Sequence, residues 1–460
     1  MVGQITINGA FNGQSGILTI PSALPDSINA FLNQYAGGMA SSIYGGMVGY
    51  ADYNPALGDT VNSGGPAFPA VFEISNFNSV GGITNGPAMT NSVSVPASAT
   101  SLWVEFPGVV TVDGSAFTNL ALFGANSDVT YNVTGGFSSI YAAGGKDVIS
   151  VGGGSLSGEY ITTGGSDTVF LSGPTGSTGN VNAVGNATTS VFVANSDNAT
   201  VTASDSAVAS VAFLPGAGGN LDFINNSTQA QTVYGGTYII NGNVVYANNA
   251  VTAWGGNAGG FFVGGRAGFN SLVGGAGNVT LVGGGAQDLL SASGANNLLY
   301  TGQGEESLIG GGGSNDFFVG FENYGIGTVK AVGDLVSAGG SGSQNFLIGQ
   351  ASSTTLTGST VSGASNIYNV LGTYTTLGGQ EVSITGGDFT ITDFGAHDAI
   401  WLINGSGTFD SGAPTVETVG SALGGGGSQI LLSDGTTITL KGVSTSQIAV
   451  ANNGHEIYRQ

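Results

Sequence analysis

The sequence predicts an all-β chain that forms a parallel β-solenoid or β-roll, with a mainly β head and a β cap. Its composition requires turns throughout, because glycine supplies 85 of 460 residues while 41% of the chain is hydrophobic and only 7% is charged. Such a chain is too apolar to stay disordered. Val, Ile, Thr, Tyr and Phe alternate with Gly, Asn, Ser and Asp, which is typical of strands and turns. Short apolar segments also recur about every nine residues, as in stacked coils.

Residues 1–115 are expected to form the head, a candidate region for adhesion or for assembly through exposed strand edges. One short helix is predicted over residues 26–35, because the apolar residues there fall on one face and Gly37-Gly38 follows. Strands are predicted at residues 4–8, 16–20, 71–74 and 102–112.

Beyond the head, the apolar segments recur at roughly nine or ten residues, so that two segments make one coil. Two glycine turns, Gly144-Gly145-Lys146-Asp147 and Gly164-Gly165-Ser166-Asp167, lie twenty residues apart, and each ends in Asp. We expect a degenerate solenoid over residues 116–250, a regular roll over 251–325, a second degenerate stretch with a closing segment over 326–400, and a cap over 401–460.

The periodicity becomes strict in the middle of the chain. Steps of nine residues give a row of apolar core positions, with one inserted residue before the last: Val263, Leu272, Leu281, Leu290, Leu299, Leu308 and Phe318. Two residues before each lies a turn position, and alternate turn positions fall on opposite flanks. One flank carries Asn270, Asp288 and Glu306. The other carries Phe261, Val279, Asn297 and Asp316.

Residues 283–291 and 311–319 resemble the nonapeptide G-G-x-G-x-D-x-U-x of the RTX family, the haemolysin-type calcium-binding repeats. The strict part covers residues 256–320, and Ala286 and Ser314 each replace a glycine of the pattern. The resemblance implies a β-roll that binds calcium at its turns, where glycines permit positive φ and the acidic residue supplies a carboxylate. The expected ligands are Asp288 and Glu306, then Asn270 and Asp316, and Asp147 and Asp167 at the earlier turns. The alternative is that Asx hydrogen bonds close the turns without calcium.

A second candidate site lies at residues 391–402, which resemble the I-x-D-F-…-D-x-I-x-L segment that ends RTX domains. Asp393 and Asp398 match its paired acids; the alternative is a capping hairpin with surface carboxylates. Residues 429–443 predict a hairpin around Asp434-Gly435. They also resemble the C-terminal flank of type I secretion substrates, whose uncleaved export signal lies in the tail. This expectation agrees with residues 1–9, which lack the basic and apolar regions of a cleaved signal.

Charge restricts the possible partners. The net charge is −22, and the five basic residues are dispersed. Nucleic acids and anionic membrane surfaces are therefore unexpected, since both require a cationic patch, and no apolar run is long enough for a transmembrane segment. Many carboxylates with no cysteine favour a hard divalent cation, and calcium is the expected cofactor. The alternative is an acidic surface that only confers solubility.

No catalytic constellation stands out. The two histidines, His397 and His455, are expected to be a turn residue and a solvated tail residue, and no H-E-x-x-H motif is present. Carboxylate pairs for sugar chemistry remain open. An ice-binding ladder would need Thr-x-Thr at coil spacing, and Thr390-Ile391-Thr392 and Thr437-Ile438-Thr439 do not recur in this way.

The sequence therefore predicts an extracellular or cell-surface structural or adhesive protein, stabilised by calcium. We expect it to be a homo-oligomer or polymer, in a bacterial surface layer or matrix filament, with cell-surface polysaccharide as a candidate partner. The alternative is a secreted enzyme that acts on polysaccharide or peptide and carries an RTX tail.

Overall fold

The computed structural model describes residues before 128 only as the backbone of strands, and residues 128–460 apart from short gaps. The gaps are residues 134–136, 153–157, 174–175, 196, 215–216, 237, 241–242, 246, 267–268, 286, 303, 323–326, 329–330, 341, 350, 376–380, 385, 410–411 and 423–425. The helix predicted over residues 26–35 lies outside the described residues.

The chain divides into two compact units, Met1–Gly219 with Asn226–Gln229 and Asn220–Asn225 with Ala230–Gln460. In each unit, successive strands alternate between two parallel sheets, as in the coils of a β-solenoid. The predicted fold class is confirmed. The bounds of the five predicted domains stay predictions.

The first unit begins with an antiparallel hairpin, Gly3–Phe11 with Gln14–Ile20. One of its parallel sheets contains Gly49–Tyr53, Ala70–Ser75, Ala99–Glu105, Asn119–Ala125, Phe137–Ala143, Glu159–Thr163, Thr178–Val184 and Asn198–Asp205. The other contains Thr90–Ser94, Val109–Asp113, Asp128–Val133, Val148–Gly152, Ser166–Ser172, Thr188–Val193 and Val208–Phe213. The strand predicted over residues 102–112 is thus two strands in different sheets, Ala99–Glu105 and Val109–Asp113.

The second unit repeats this arrangement. Its first sheet contains Asn220–Ser227, Ala250–Trp254, Ser271–Val273, Leu289–Ser291, Ser307–Ile309, Leu335–Ser337, Thr354–Thr357, Asp388–Ile391 and Thr437–Lys441. Its second sheet contains Gln231–Tyr234, Gly260–Val263, Val279–Val282, Asn296–Tyr300, Ser314–Val319, Gln344–Ile348, Asn366–Leu371 and Ala399–Ile403.

Insertions interrupt the coils of the second unit, and antiparallel strands end it. The inserted strand pairs are Tyr238–Ile240 with Asn243–Val245, Phe321–Glu322 with Gly327–Thr328, Ala331–Val332 with Ala351–Ser352, and Thr373–Thr375 with Glu381–Ser383. The terminal elements are Val416–Ser421, Gly427–Leu432, Ile448–Ala451, Glu456–Arg459 and the 3-10 turns Thr445–Gln447 and Asn452–Gly454. The hairpin predicted over residues 429–443 is confirmed by antiparallel pairing of Gly427–Leu432 with Thr437–Lys441.

Inward side chains of successive strands build the core of the second unit. Leu281 pairs with Phe262 on one side and Leu299 on the other, and Leu299 pairs with Phe317. All four are fully buried. The aromatic column continues from Phe317 through Phe346 to Tyr368, with ring centroids 4.9 and 4.6 Å apart. Each coil therefore buries its apolar residue against its neighbours.

The predicted register is wrong at both ends of the strict repeat. The core residues are Phe262 and Phe317 rather than Val263 and Phe318. Both sites carry two adjacent apolar residues, so a count of nine residues can land on either one. Val263 and Phe318 contribute instead to a second apolar cluster with Val282 and Tyr300. Phe317 follows Leu299 by eighteen residues, so no inserted residue is needed.

The prediction that Thr-x-Thr segments do not recur at coil spacing is also wrong. Thr355-Leu356-Thr357 lies beside Thr390-Ile391-Thr392: Thr355 pairs with Thr390, and the Oγ1 atoms of Thr357 and Thr392 are 2.8 Å apart. The long coil between the two segments brings the chain back to the neighbouring strand position in the sheet. Hydrogen bonding between the two hydroxyls ties neighbouring strands together.

Candidate calcium sites at the turns

Two columns of buried polar side chains follow the turns of the second unit, each two residues before a core position. We call the first the acid column, and it contains Asn270, Asp288, Glu306 and Asp334. We call the second the amide column, and it contains Asn297, Asn315, Gln344, Asn366 and Asp398. These side chains have the same strand parity as the core residues, so they point inward.

Hydrogen bonds occupy the first half of the acid column. Asn270 Oδ1 accepts hydrogen bonds from the backbone N–H groups of Val251 and Gly265, at 2.9 and 2.8 Å. Asp288 Oδ1 accepts from the backbone and side-chain amides of Asn270, both at 2.9 Å. Asp288 Oδ2 accepts from Gly284 and Gly285 at 2.8 and 3.0 Å. Burial still raises the pKa of Asp288, although these bonds oppose the rise. This turn has the Asx-type closure that was the alternative to calcium.

The second half of the acid column contains unsatisfied oxygens. Glu306 Oε2 accepts a hydrogen bond from Gly302 at 2.6 Å, and Asp334 Oδ1 accepts from the Glu306 backbone at 3.1 Å. Glu306 Oε1 and Asp334 Oδ2 are buried with no hydrogen-bond partner. A Cβ atom on Gly302 would lie 2.7 Å from Glu306 Oε1, so the carboxylate occupies space that only glycine leaves open.

The two acids of this pair have raised pKa values. Burial, followed by the charges of Asp288 and Asp334, raises the pKa of Glu306 well above its ordinary value. Burial raises the pKa of Asp334 to about 7. The sequence prediction missed Asp334, which follows Glu306 by 28 residues rather than eighteen. The available signal was Gly333-Asp334-Leu335-Val336, which preserves the last part of the repeat.

Side-chain amides link the amide column. Asn297 Nδ2 donates to Asn315 Oδ1 at 2.7 Å, Asn315 Nδ2 donates to Gln344 Oε1 at 2.8 Å, and Asn366 Nδ2 donates to Asp398 Oδ1 at 2.9 Å. A side-chain amide has both a hydrogen-bond donor and an acceptor, so these links between side chains form without a bound ion.

The predicted turn position of Asp316 is wrong. Asn315 occupies the buried position, and Asp316 lies on the outer side of the strand, where it accepts an exposed hydrogen bond from Asn345 Nδ2 at 3.1 Å. The predicted turn position of Phe261 is wrong by one residue in the same way, because Gly260, not Phe261, pairs with Val279. We therefore leave Asp316 out of the candidate calcium ligands.

The first unit contains a second pair of buried acids, Asp147 and Asp167, on successive coils. Asp147 Oδ1 accepts from the Val129 backbone at 2.8 Å, and Asp167 Oδ1 accepts from the Asp147 backbone at 3.2 Å. The Oδ2 atom of each has no partner. Burial is the main cause that raises the pKa of Asp147 to about 8 and that of Asp167 to about 7.

Glycine turns bring these two acids together. Gly165 has a φ of +80°, and a Cβ atom on it would overlap the carbonyl oxygen of Gly145 in the turn of the preceding coil. Glycine is the residue that adopts this conformation without strain. The equivalent turns therefore stack closely enough to place one carboxylate over the other.

In the closing segment, Asp393 and Asp398 lie close enough for their charges to interact. Asp393 Oδ1 accepts from Gly358 at 2.9 Å and from the Tyr368 hydroxyl at 3.5 Å, and its Oδ2 has no partner. Burial, and then the charge of Asp398, raises the pKa of Asp393. Asp398 Oδ2 accepts from Gly395 at 2.7 Å, so Asp398 has donors on both oxygens.

Six described carboxylates have one buried oxygen without a hydrogen-bond partner: Asp147, Asp167, Asp197, Glu306, Asp334 and Asp393. All except Asp197 belong to pairs of interacting acids, and these five fit calcium, which takes six to eight oxygen ligands. Asp288 and Asp398 fit less well, because N–H donors reach both of their oxygens. Among the described residues, no three acidic or histidine side chains gather around one point as a metal-binding group. Each candidate site is therefore a pair of carboxylates or a single one.

His397 directly precedes Asp398, and His455 lies in the cap. The backbone carbonyl of His397, an exposed turn residue as predicted, accepts a hydrogen bond from Ser365. The prediction for His455 is wrong: its ring is partly buried, lies 2.9 Å from the Pro414 carbonyl through Nδ1, and stacks on Phe409. The cap thus uses this ring for packing.

The family model of the RTX calcium-binding nonapeptide repeat, in four copies, matches residues 264–299 and 283–317. The chain contains RTX repeats. Repeats of this family bind calcium and are typical of secreted bacterial proteins. The matched RTX segment contains Asn270, Asp288 and Glu306, whereas Asp147, Asp167, Asp334, Asp393 and Asp398 lie outside it. Neither a curated protein nor a solved structure matches the chain significantly. Within the described part of the chain, no helix has the length and hydropathy that a bilayer crossing requires.

Proposed function

We propose that this protein is an extracellular structural protein that requires calcium for a rigid solenoid and assembles into a bacterial surface layer or matrix filament. The observation that carries the proposal is the stacking of buried carboxylates with unsatisfied oxygens along the turns. It is supported by the RTX match, which shows repeats of a calcium-binding family.

The carboxylate pairs make the fold sensitive to ions. Glu306 and Asp334 both lie in the interior, and their charges repel each other. Burying like charges without a partner is costly, so each pair needs either a proton or a cation. Bound calcium supplies the positive charge that offsets this repulsion. Glu306 and Asp334 would hold the ion, and the saturated Asn270 and Asp288 brace the preceding turns.

Calcium dependence suits a protein that functions outside the cell. A ligand that binds the folded state stabilises it in proportion to the logarithm of its concentration. A chain whose carboxylate pairs lack calcium stays less stable in the cytosol, which favours passage through an export channel. It becomes stable where calcium is abundant.

An exposed apolar face supports the assembly part of the proposal. Trp254, Leu289, Ile309 and Leu335 lie on the outward side of the first sheet of the second unit and are 53%, 39%, 41% and 52% exposed. Single exposed apolar residues are common, but several on one flat face are typical of an interaction surface. We propose that this face contacts another copy of the chain. The proposal assigns no catalytic activity to the protein.

Calcium titration followed by electron microscopy and sedimentation tests this function. We expect calcium to raise the free energy of unfolding and to produce ordered sheets or filaments. Leu335→Ser should weaken assembly without changing calcium binding. Val361→Ser is the matched control, because Val361 is similarly exposed at 48% but lies in a turn outside the sheets. A chain that stays monomeric at all calcium concentrations would contradict the assembly proposal, and one whose unfolding ignores calcium would contradict the stabilisation proposal.

A further inference from the structure

Tyr131 is a fully buried tyrosine whose hydroxyl has no hydrogen-bond partner. It belongs to the strand Asp128–Val133 and pairs with Ile149 in the core of the first unit. Leaving a buried hydroxyl unsatisfied typically costs about 1–3 kcal/mol. A buried phenol is therefore expected to have a ligand.

Strand register places Tyr131 beside the acid pair of the same unit: Tyr131 pairs with Ile149, two residues after Asp147, and Ile149 pairs with Val169, two residues after Asp167. The charges of Asp147 and Asp167 both act on the phenol and, after burial, raise its pKa. Each of these carboxylates also has one oxygen without a partner, and the two side chains are 1% and 2% exposed. Three unsatisfied oxygens, one neutral and two acidic, thus share one buried region.

Another buried acid of the first unit shows what is special about this group. Asp197 is fully buried and has one unpartnered oxygen, while its other oxygen accepts from Gly173 at 2.7 Å. Burial raises its pKa to about 6, with no contribution from a second acid. A single proton can satisfy Asp197. The group of Tyr131, Asp147 and Asp167 carries two negative charges when both acids are ionised, and its three oxygens match the oxygen-only ligand set of a hard divalent cation.

We propose that Tyr131, Asp147 and Asp167 form a calcium site inside the first unit, with the phenol oxygen as a neutral ligand. The site lies outside the matched repeats at residues 264–317. It rests on the proposed function only for the identity of the cation. It differs from the turn sites because a core side chain supplies one ligand.

The test combines calorimetric calcium titration with terbium luminescence on the full chain. Terbium binds calcium sites and emits when a nearby tyrosine transfers excitation energy to it. Tyr131→Phe preserves the core ring; we expect it to weaken calcium binding at one site about tenfold or more and to remove the emission that this tyrosine sensitises. Asp147→Asn with Asp167→Asn should remove one bound ion. Asp197→Asn, the matched control, should titrate like the unaltered chain.

Circular dichroism in excess calcium checks that each variant folds, and Asp167→Asn alone replaces the double variant if the latter does not. If folded Tyr131→Phe and the Asn variants titrate and emit like the unaltered chain, the cluster shares protons only and the proposal is overturned. If these variants behave in that way while Glu306→Gln changes calcium-dependent unfolding, this inference fails and the proposed function stands. If the unaltered chain binds no calcium, both fail.

Discussion

Replacing Asp334 by Asn should stabilise the protein without calcium and destabilise it with calcium. The isosteric amide removes the charge from a carboxyl that is 1% exposed and has one unsatisfied oxygen. Burial raises the pKa of Asp334 from 3.8 to about 7. Each unit of pKa corresponds to about 1.4 kcal/mol, so ionised Asp334 costs the folded state about 4 kcal/mol.

The sign of the pH dependence follows from that raised pKa. Below a pH of about 4 the carboxyl is protonated in both the folded and the unfolded chain, and it imposes no cost. As the pH rises from there through about 7, the unfolded chain loses the proton more readily and stability falls. The gain from Asp334→Asn in chelator should therefore be absent near pH 4 and approach about 4 kcal/mol above pH 8.

Calcium should reverse the effect, because the ion needs the carboxylate that Asn removes. Urea unfolding followed by circular dichroism, with chelator and then with calcium, measures both signs. Asp316→Asn is the matched control, since Asp316 lies on the outer side of its strand and should change stability by less than about 0.5 kcal/mol. If Asp334→Asn destabilises equally at every pH, with and without calcium, then Asp334 is only a hydrogen-bond acceptor and the reasoning is refuted.

Three further predictions concern the other columns and turns. Calcium binding at pH 7 should release about one proton from the Asp147 carboxyl, whose pKa is about 8, and fewer at pH 9; titrations in buffers of different ionisation enthalpy measure this. Gly302→Ala should lower the free energy of unfolding by about 1–3 kcal/mol by crowding Glu306, whereas Gly312→Ala, with open space around it, should be nearly neutral in thermal unfolding. Asn297→Ala should cost about 1–3 kcal/mol equally in calcium and in chelator, as measured by urea unfolding, because its partners are amides.

Each of these outcomes has a clear opposite. Calcium binding whose heat is the same in all buffers would mean that Asp147 is already ionised. Equal effects of alanine at the two glycines would remove the steric argument. A calcium-dependent cost at Asn297 would show that the amide column also depends on the ion.

The fold and the approximate position of the turn sites were predictable from the sequence. Strand-forming residues at a spacing of nine, separated by glycine, can bury their apolar side chains only by stacking, which fixes the architecture. The positions of Asp288 and Glu306 followed from the same count, and both are buried at turns. Their chemical difference was not predictable, because it depends on which backbone N–H groups reach each oxygen.

The rest depends on three-dimensional contacts that the sequence does not specify. At Phe317-Phe318 two adjacent apolar residues made the register ambiguous by one position, and that error moved Asp316 from the outer face to the turn. Asp334 was missed because an insertion lengthens its coil. Tyr131 was missed because core aromatic residues form no ligand motif, and only its unsatisfied hydroxyl distinguishes it from its neighbours.

The two polar columns of the second unit depend differently on calcium. Side-chain amides of the chain itself link the amide column, whereas the acid column contains buried negative charges that a proton or a cation from the solvent must neutralise. When calcium is removed at neutral pH, the acid column should loosen first while the amide column keeps its bonds. The coils would then separate along the acid column while the amide column holds them together, and they would pack again when calcium returns.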